Sequence, residues 1–447
     1  MQEFTKRNWL ILIFFGLIGQ IAWSVENMYF NLFVFETIAP DLNAVTLMVQ
    51  LSGVAATVTT LIAGTLSDRA GNRRKFISYG YLIWGVTVAL FGLISVELIE
   101  KFFPVTGGKA ISLTLALVGA ADCVMTVFGS TANDAAFHAW VTDNTQPSFR
   151  GKVESVLSVL PLLAMLIVAG GFGILVSFVG YKGLFLGLGA LISVCGIVGL
   201  FTVVDSPSLL KNGTFKDIVY GFKPKVIKGN PAYYLTLLVI GIYGIACQIF
   251  MPYLIIYMKT YLGFSVVEYS VVFGAAILLG AAINILLGKT SDRHDKVKLL
   301  YLAAGILSIG LMGMYLSDFR SKTANLLCFG IAGFVMITGY IFTLSLSSAT
   351  LRDQEPKGQS GKLQGIRMIF SVLLPMLIGP MIGNAINKAA ALPLPDPSGA
   401  DSMTTQFIPA PEIFLAGSLC VLAVFIVLPL LTKLLKEKKE NGYETEN

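Results

Sequence analysis

Charge is what this sequence has least of. Asp, Glu, Lys and Arg make up 13% of its 447 residues, about half of the roughly 25% carried by an average soluble domain. Histidine is nearly missing, with His138 and His294 alone, and no His/Cys cluster has the spacing of a metal site. The five cysteines (Cys123, Cys195, Cys247, Cys328, Cys420) all lie inside apolar runs. There they read as small hydrophobes rather than a disulfide framework. No nucleophile–base motif stands out, so an enzyme is not expected and no cofactor is implied.

What is plentiful is hydrocarbon. Hydrophobic residues reach 55% and the mean hydropathy is +0.76. Apolar runs of about 20 residues, enough to span a bilayer as helix, recur along the chain. Breaking them at charged or Gly/Pro-rich points predicts twelve helices, near 9–38, 44–67, 76–96, 110–139, 152–178, 183–204, 232–258, 266–287, 297–316, 323–349, 363–386 and 413–431. The loop after the third, with Glu97, Glu100, Lys101 and Lys109, reads as wet. The fold class expected is an all-α polytopic membrane protein. Residues 1–204 form an N-terminal six-helix bundle and 232–432 a C-terminal one. Residues 205–231, rich in Lys with apolar residues at helical spacing, read as an amphipathic cytoplasmic linker. Residues 433–447 read as a charged, frayed tail.

Orientation follows from the cations. With the N-terminus inside, 25 of the 32 Lys and Arg fall on the cytoplasmic side, so both termini are expected there, in the plasma membrane. The net charge of +6 is explained by the same loops and needs no nucleic-acid partner. The expected partners are the bilayer and a small-molecule substrate, and the expected state is a monomer.

The densest charge lies in Gly64-Thr-Leu-Ser-Asp68-Arg69-Ala-Gly71-Asn-Arg73-Arg74-Lys75, a turn that must be an aqueous loop between helices two and three. Its spacing resembles the loop signature of the major facilitator superfamily. A partial copy, Gly288-Lys-Thr-Ser-Asp292-Arg293, follows helix eight, and residues 143–152 resemble 353–362. The halves therefore repeat, as that family's two six-helix halves do, with substrate expected near the midplane. The resemblance implies a gating role for Gly64, Asp68, Arg69, Gly71, Arg74, Gly288, Asp292 and Arg293. It also implies that Asp68 meets the positive end of helix eleven and latches the halves on the cytoplasmic side.

An ionisable group at the bilayer centre costs about 2.5–3.5 kcal/mol on insertion scales. Glu26 is one, about 25 Å along the first helix from Trp9 at about 1.5 Å per residue. Trp23, Asn27, Phe30 and Asn31 share its side of the helix. Asp122, after the small residues Gly119-Ala-Ala, is another. Each either lines a cavity or hydrogen-bonds between helices. Asp134 and His138, four residues apart, make an ion pair or a solvated interfacial pair. Arg367 is the one cation well inside a helix; it snorkels to the surface or balances Glu26, Asp122 or the substrate. Tyr243, Gln248, Tyr253 and Tyr340 offer aromatic faces beside donors and acceptors, which suits a polar ring-shaped ligand.

Two buried acids against at most one cation leave surplus negative charge. Burial disfavours the bare charge, so one acid should be protonated or hold a cation in some states. Trp23-Ser-Val-Glu26 resembles the Trp-Ala-Leu-Gln of sucrose-type carriers, and Gly365-Ile-Arg367-Met-Ile-Phe370 is similar to a stretch of glycoside–cation symporters. Acids on helices one and four resemble those of the melibiose permease, but 51–62 lacks its paired helix-two carboxylates. That favours H+ over Na+ as the coupling ion. The reading is a secondary transporter working by alternating access that imports a sugar or glycoside with a proton. Glu26 and Asp122 would couple the proton. Trp23, Glu26, Asn27, Asn31, Asp122, Tyr243, Gln248, Tyr253, Tyr340 and Arg367 would bind substrate. The alternatives are a proton-coupled multidrug exporter and a non-transporting membrane receptor on the same scaffold.

Overall fold

The computed structural model describes residues 5–146, 150–206, 218–291, 295–355, 360–393 and 407–444. Almost all of them are helical. In chain order, α1 is Lys6–Ile38, α2 Leu42–Ala70, α3 Arg73–Phe91 and α4 Gly108–Asn144. The long stretch 150–202 is two helices, because Gly180 inside it adopts φ 67° and ψ 173°, a conformation that essentially only glycine tolerates. It separates α5 (150–179) from α6 (181–202). Next come α7 (Pro231–Thr260), α8 (Val266–Ser291), α9 (Lys296–Tyr315), α10 (Lys322–Gln354), α11 (360–390) and α12 (412–444).

By length and apolar character ten helical stretches among the described residues can cross a membrane. One of them, Val159–Thr202, has 44 residues, twice the length a single crossing needs. Counting its two arms separately and adding α3 reaches the twelve helices read from the sequence. Leu10, Phe201, Ile309 and Ile426 are 68–79% exposed. Such side chains are a liability in water and the natural surface in lipid.

Two expectations are corrected, and the linker is described only in part. The segment after α3 is a short helix, Val96–Phe102, bent 86° from α3. Ser95 caps it, its hydroxyl accepting from Leu98 N–H, and Glu97 suits the positive end of its dipole. The charged C-terminal segment is not frayed through its described part: α12 continues to Glu444. Of the linker, 207–217 lies outside the described residues. The rest is a turn and a helix, Pro224–Gly229, from which Tyr220 and Val226 pack on Tyr233, Leu237, Leu351, Leu363 and Ile366.

The chain divides into two compact units, residues 1–215 with 401–407 and residues 216–400 with 408–447. Within unit 1, α1 packs on α5, α2 on α4, and α3 on both α4 and α6. Within unit 2, α7 packs on α11, α8 on α10, and α9 on both α10 and α12. Adding six to each number of the first set gives the second, so the sequence repeat is also a packing repeat. Several helices widen locally into i→i+5 turns. These lie at Glu26–Phe30 and Val34–Ile38 in α1, Ser130–Phe137 in α4, Val168–Phe172 in α5 and Ile369–Leu373 in α11. Such turns re-aim side chains and recur at functional positions.

Candidate functional site

Unit 1 buries both acids singled out by the sequence and brings them together. Glu26 begins the first wide turn of α1 and is 7% exposed; Asp122 on α4 is 1% exposed. Ser52, from α2, donates to Glu26 Oε1 at 2.9 Å. Thr126 donates to the same oxygen at 3.1 Å. The two hydroxyl oxygens are 2.8 Å apart. Asp122 and Thr126 are four residues apart on α4 and share a face. Asp122 lies close enough for its charge and that of Glu26 to act on one another. Glu26 Oε2 and Asp122 Oδ1 are buried without a hydrogen-bond partner. Three helices thus converge on one pair of carboxylates. Ser52 and Thr126 were not singled out by sequence, because a hydroxyl inside an apolar helix normally back-bonds its own backbone.

Around this pair the unit is polar and aromatic. Trp23 is half-buried against Trp84, ring centroids 5.1 Å apart, and both indole N–H groups lack a partner. Asp134 lies by Trp23 and Ser130, while His138 is exposed. Asn133 donates to the Tyr81 hydroxyl, which donates to the Phe15 carbonyl, each at 2.7 Å. Asn27 and Asn31 use their amides locally, on the carbonyls of Trp23 and Asn27. Asn27 is exposed, whereas Asn31 is 1% exposed.

Unit 2 has no buried acid pair among its described residues; its buried polar groups are hydroxyls, amides and tyrosines. Tyr243 on α7 donates to the Tyr340 carbonyl at 3.1 Å, and the two rings lie 5.6 Å apart. Gln248 is half-buried and packs where Gly379 leaves room; a Cβ there would stand 2.5 Å from Gln248 Cβ. Tyr253 is fully buried and donates to the Pro380 carbonyl at 2.9 Å, pinning α7 to α11. Arg367 is exposed and lies near Tyr233 and Glu355. Its long side chain therefore reaches the surface.

The charged turn between α2 and α3 is built around a residue the sequence reading passed over. Gly71 closes α2 in the left-handed region, φ 58°, which glycine adopts without strain. Arg73 then opens α3 with its side chain 5% exposed. It bonds the Asp68 carboxylate and the Ser67 hydroxyl, and Asp143 Oδ2 at 2.9 Å. Arg74 is exposed; its side chain bonds the Leu200 carbonyl and its N–H donates to Asp205 at 2.9 Å. These acids offset a cluster of cations at a helix N-terminus, where the dipole disfavours them. Arg69 is exposed and Gly64 has open space at its Cβ position. Gly288 lies near the end of α8, while Asp292 and Arg293 lie outside the described residues.

Comparison with known proteins supplies the family. The model of the Major Facilitator Superfamily matches residues 11–391. A point mutant of the nucleoside transporter NupG superposes with a TM-score of 0.67 at 10% identity, over 94% of this chain and 99% of that one. A D-xylose-proton symporter gives 0.67 at 14% identity, over 94% and 96%. A bacterial homologue of the human lysosomal transporter Spinster gives 0.60 at 15% identity, over 96% of each. At such identities these likenesses speak for the fold. No curated protein sequence matches the chain significantly.

Proposed function

Because the chain belongs to the major facilitator superfamily, we propose that this multi-pass membrane transporter is a secondary carrier that imports a sugar or glycoside with a proton, by alternating access. The observation that carries the coupling is the pair Glu26 and Asp122, both buried, with the Ser52 and Thr126 hydroxyls on Glu26 and no salt bridge to either acid among the described residues. Two interacting carboxylates buried in one bundle do not both stay bare, so a proton enters and leaves with the transport cycle. Support for a sugar-like substrate is weaker in kind. Trp23, Tyr243, Gln248 and Tyr340 supply ring faces beside donors and acceptors, and the neighbours include a carrier for xylose and protons and one for nucleosides. Both of those ligand classes are rings bearing hydroxyls. The sucrose-type and melibiose-type resemblance of the Trp23–Glu26 stretch points the same way. In this reading both termini and the charged α2–α3 turn face the cytoplasm of a cell whose plasma membrane holds the carrier.

The test is a thermal-shift screen of purified protein against sugars, glycosides, nucleosides, amino acids and cationic dyes, since a ligand of the folded state raises its stability by mass action. Hits are then assayed for uptake into proteoliposomes with an imposed pH gradient. Sugar hits taken up against their gradient support the reading. Stabilisation by dyes alone, with extrusion driven by inward protons, would replace it with the exporter.

A further inference from the structure

We propose that the short helix Val96–Phe102 lies in the plane of the bilayer, at the interface opposite the charged α2–α3 turn, and that its Leu98–Phe102 edge is a lipid-binding surface. This goes beyond the transport reading and holds whatever is carried.

Depth comes from α3. That helix has 19 residues, about 28 Å at about 1.5 Å per residue, close to the roughly 30 Å of a hydrocarbon core. Its first turn carries Arg73, Arg74 and Lys75, so its other end, at Phe91, reaches the far edge of the core. Residues 92–95 break the helix, and Val96–Phe102 then runs at 86° to α3. A near-right-angle bend at the end of a crossing leaves the second helix along the membrane surface, and an ordinary tilt of about 20° does not change that. The segment is also held in place. Glu100 Oε1 accepts from Gly107 N–H at 3.1 Å, where Gly107, at φ 59°, turns the chain into α4.

The sides of the short helix are sorted. Glu97, Glu100 and Lys101 share one side, Val96 and Ile99 a second, and Leu98 and Phe102 a third. Ile99 is 2% exposed and packs on the bundle, whereas Phe102 is 70% exposed and Leu98 is exposed beside it. Ile83, Val86 and Leu90 are exposed along α3 at steps of three and four residues, which marks its lipid face. The series passes through the turn at Leu93 to Leu98 and Phe102, so the exposed edge prolongs a surface that lipid already covers. In-plane helices seat such an apolar edge at the boundary of headgroups and acyl chains, with their charges among the headgroups. Here those charges are of both signs, Glu97 and Glu100 with Lys101 and Lys109. That suits zwitterionic phospholipid; an anionic lipid is drawn by a cluster of about four or more cations. With Arg74 and Lys75 exposed at one interface and this helix at the other, α3 is anchored at both ends and its depth is fixed.

The experiment compares two neighbouring positions. Lys101→Cys and Phe102→Cys are made in the full chain, placed in phosphatidylcholine nanodiscs and treated with a charged, membrane-impermeant maleimide. The wild-type chain gives the background of the native cysteines, and thermal unfolding checks that each variant is folded. Lys101→Cys should react as a thiol in water. Phe102→Cys should react roughly tenfold or more slowly, because the reactive thiolate does not form in hydrocarbon. The two should react alike once the chain is unfolded in SDS. Equal rates in nanodiscs overturn the proposal and leave a wet loop. Photoactivated benzoylphenylalanine at position 102, in the same discs, separates lipid from a covering protein. Adducts to phosphatidylcholine acyl chains are expected; adducts to a second copy of the chain, or none to lipid, overturn the lipid assignment. Sugar uptake, present or absent, decides the transport reading separately.

Discussion

Arg73 Nε donates to Asp143 Oδ2 at 2.9 Å, tying the start of α3 to the end of α4. Unit 2 repeats the arrangement with different chemistry: Lys296, at the start of α9, meets Asp353 near the end of α10 at 2.6 Å. The first pair is anchored by a side chain 5% exposed that also holds Asp68 and Ser67; the second is 31% and 51% exposed. An arginine fork serves several acceptors at once, whereas an ammonium acts as a point charge. The repeated sequence thus keeps the position of the ion pair and strengthens it in one copy.

The two pairs should separate under mutation. Arg73→Ala removes the buried cation and its charge-assisted hydrogen bonds, leaves the partly exposed Asp68 and Asp143 to solvent, and is expected to cost about 1.5–3 kcal/mol. Lys296→Ala should cost less than about 1 kcal/mol, as an exposed pair does. Thermal unfolding of the two variants in detergent measures the contrast. Equal losses would show that burial of Arg73 does not govern its contribution.

Glu26→Gln keeps the shape of the side chain and removes its titration. Uptake driven by a pH gradient into proteoliposomes should fall to the passive level, while thermal stability holds or rises because a buried charge is gone. Undiminished accumulation would reduce Glu26 to a link between helices.

Asp122→Asn should leave exchange of substrate across the membrane intact and flatten the pH dependence of net flux, because one of the two coupled acids no longer takes a proton. The comparison of exchange with net uptake over a pH series decides it. A wild-type profile would remove Asp122 from coupling.

Gly180 can be tested by stability alone. With φ 67° and ψ 173°, Gly180→Ala is expected to cost about 1–3 kcal/mol. Gly187→Ala, at a helical position with open space around it, should be neutral or stabilising by about 0.5–1 kcal/mol. If both variants melt with the wild-type chain, the break between α5 and α6 carries no strain.

The sequence by itself determined the membrane class, the helices and the repeat. Hydropathy and the length of a crossing are properties read along one dimension, and charge cannot hide in an apolar run. It also picked out Glu26 and Asp122, since an acid in hydrocarbon demands a reason wherever it lies. The extent of the C-terminal helix was not legible, because a charged amphipathic end reads alike as helix or as tail. Ser52 and Thr126 were not legible either: a hydroxyl in a membrane helix usually bonds its own backbone, and only a partner from another helix shows otherwise. Arg73 hid among three neighbouring cations, and its burial came from the fold of the turn. The tertiary structure alone decided that residues 26, 52, 122 and 126, on three separate helices, meet at one buried point, because packing sets such distances and sequence separation does not.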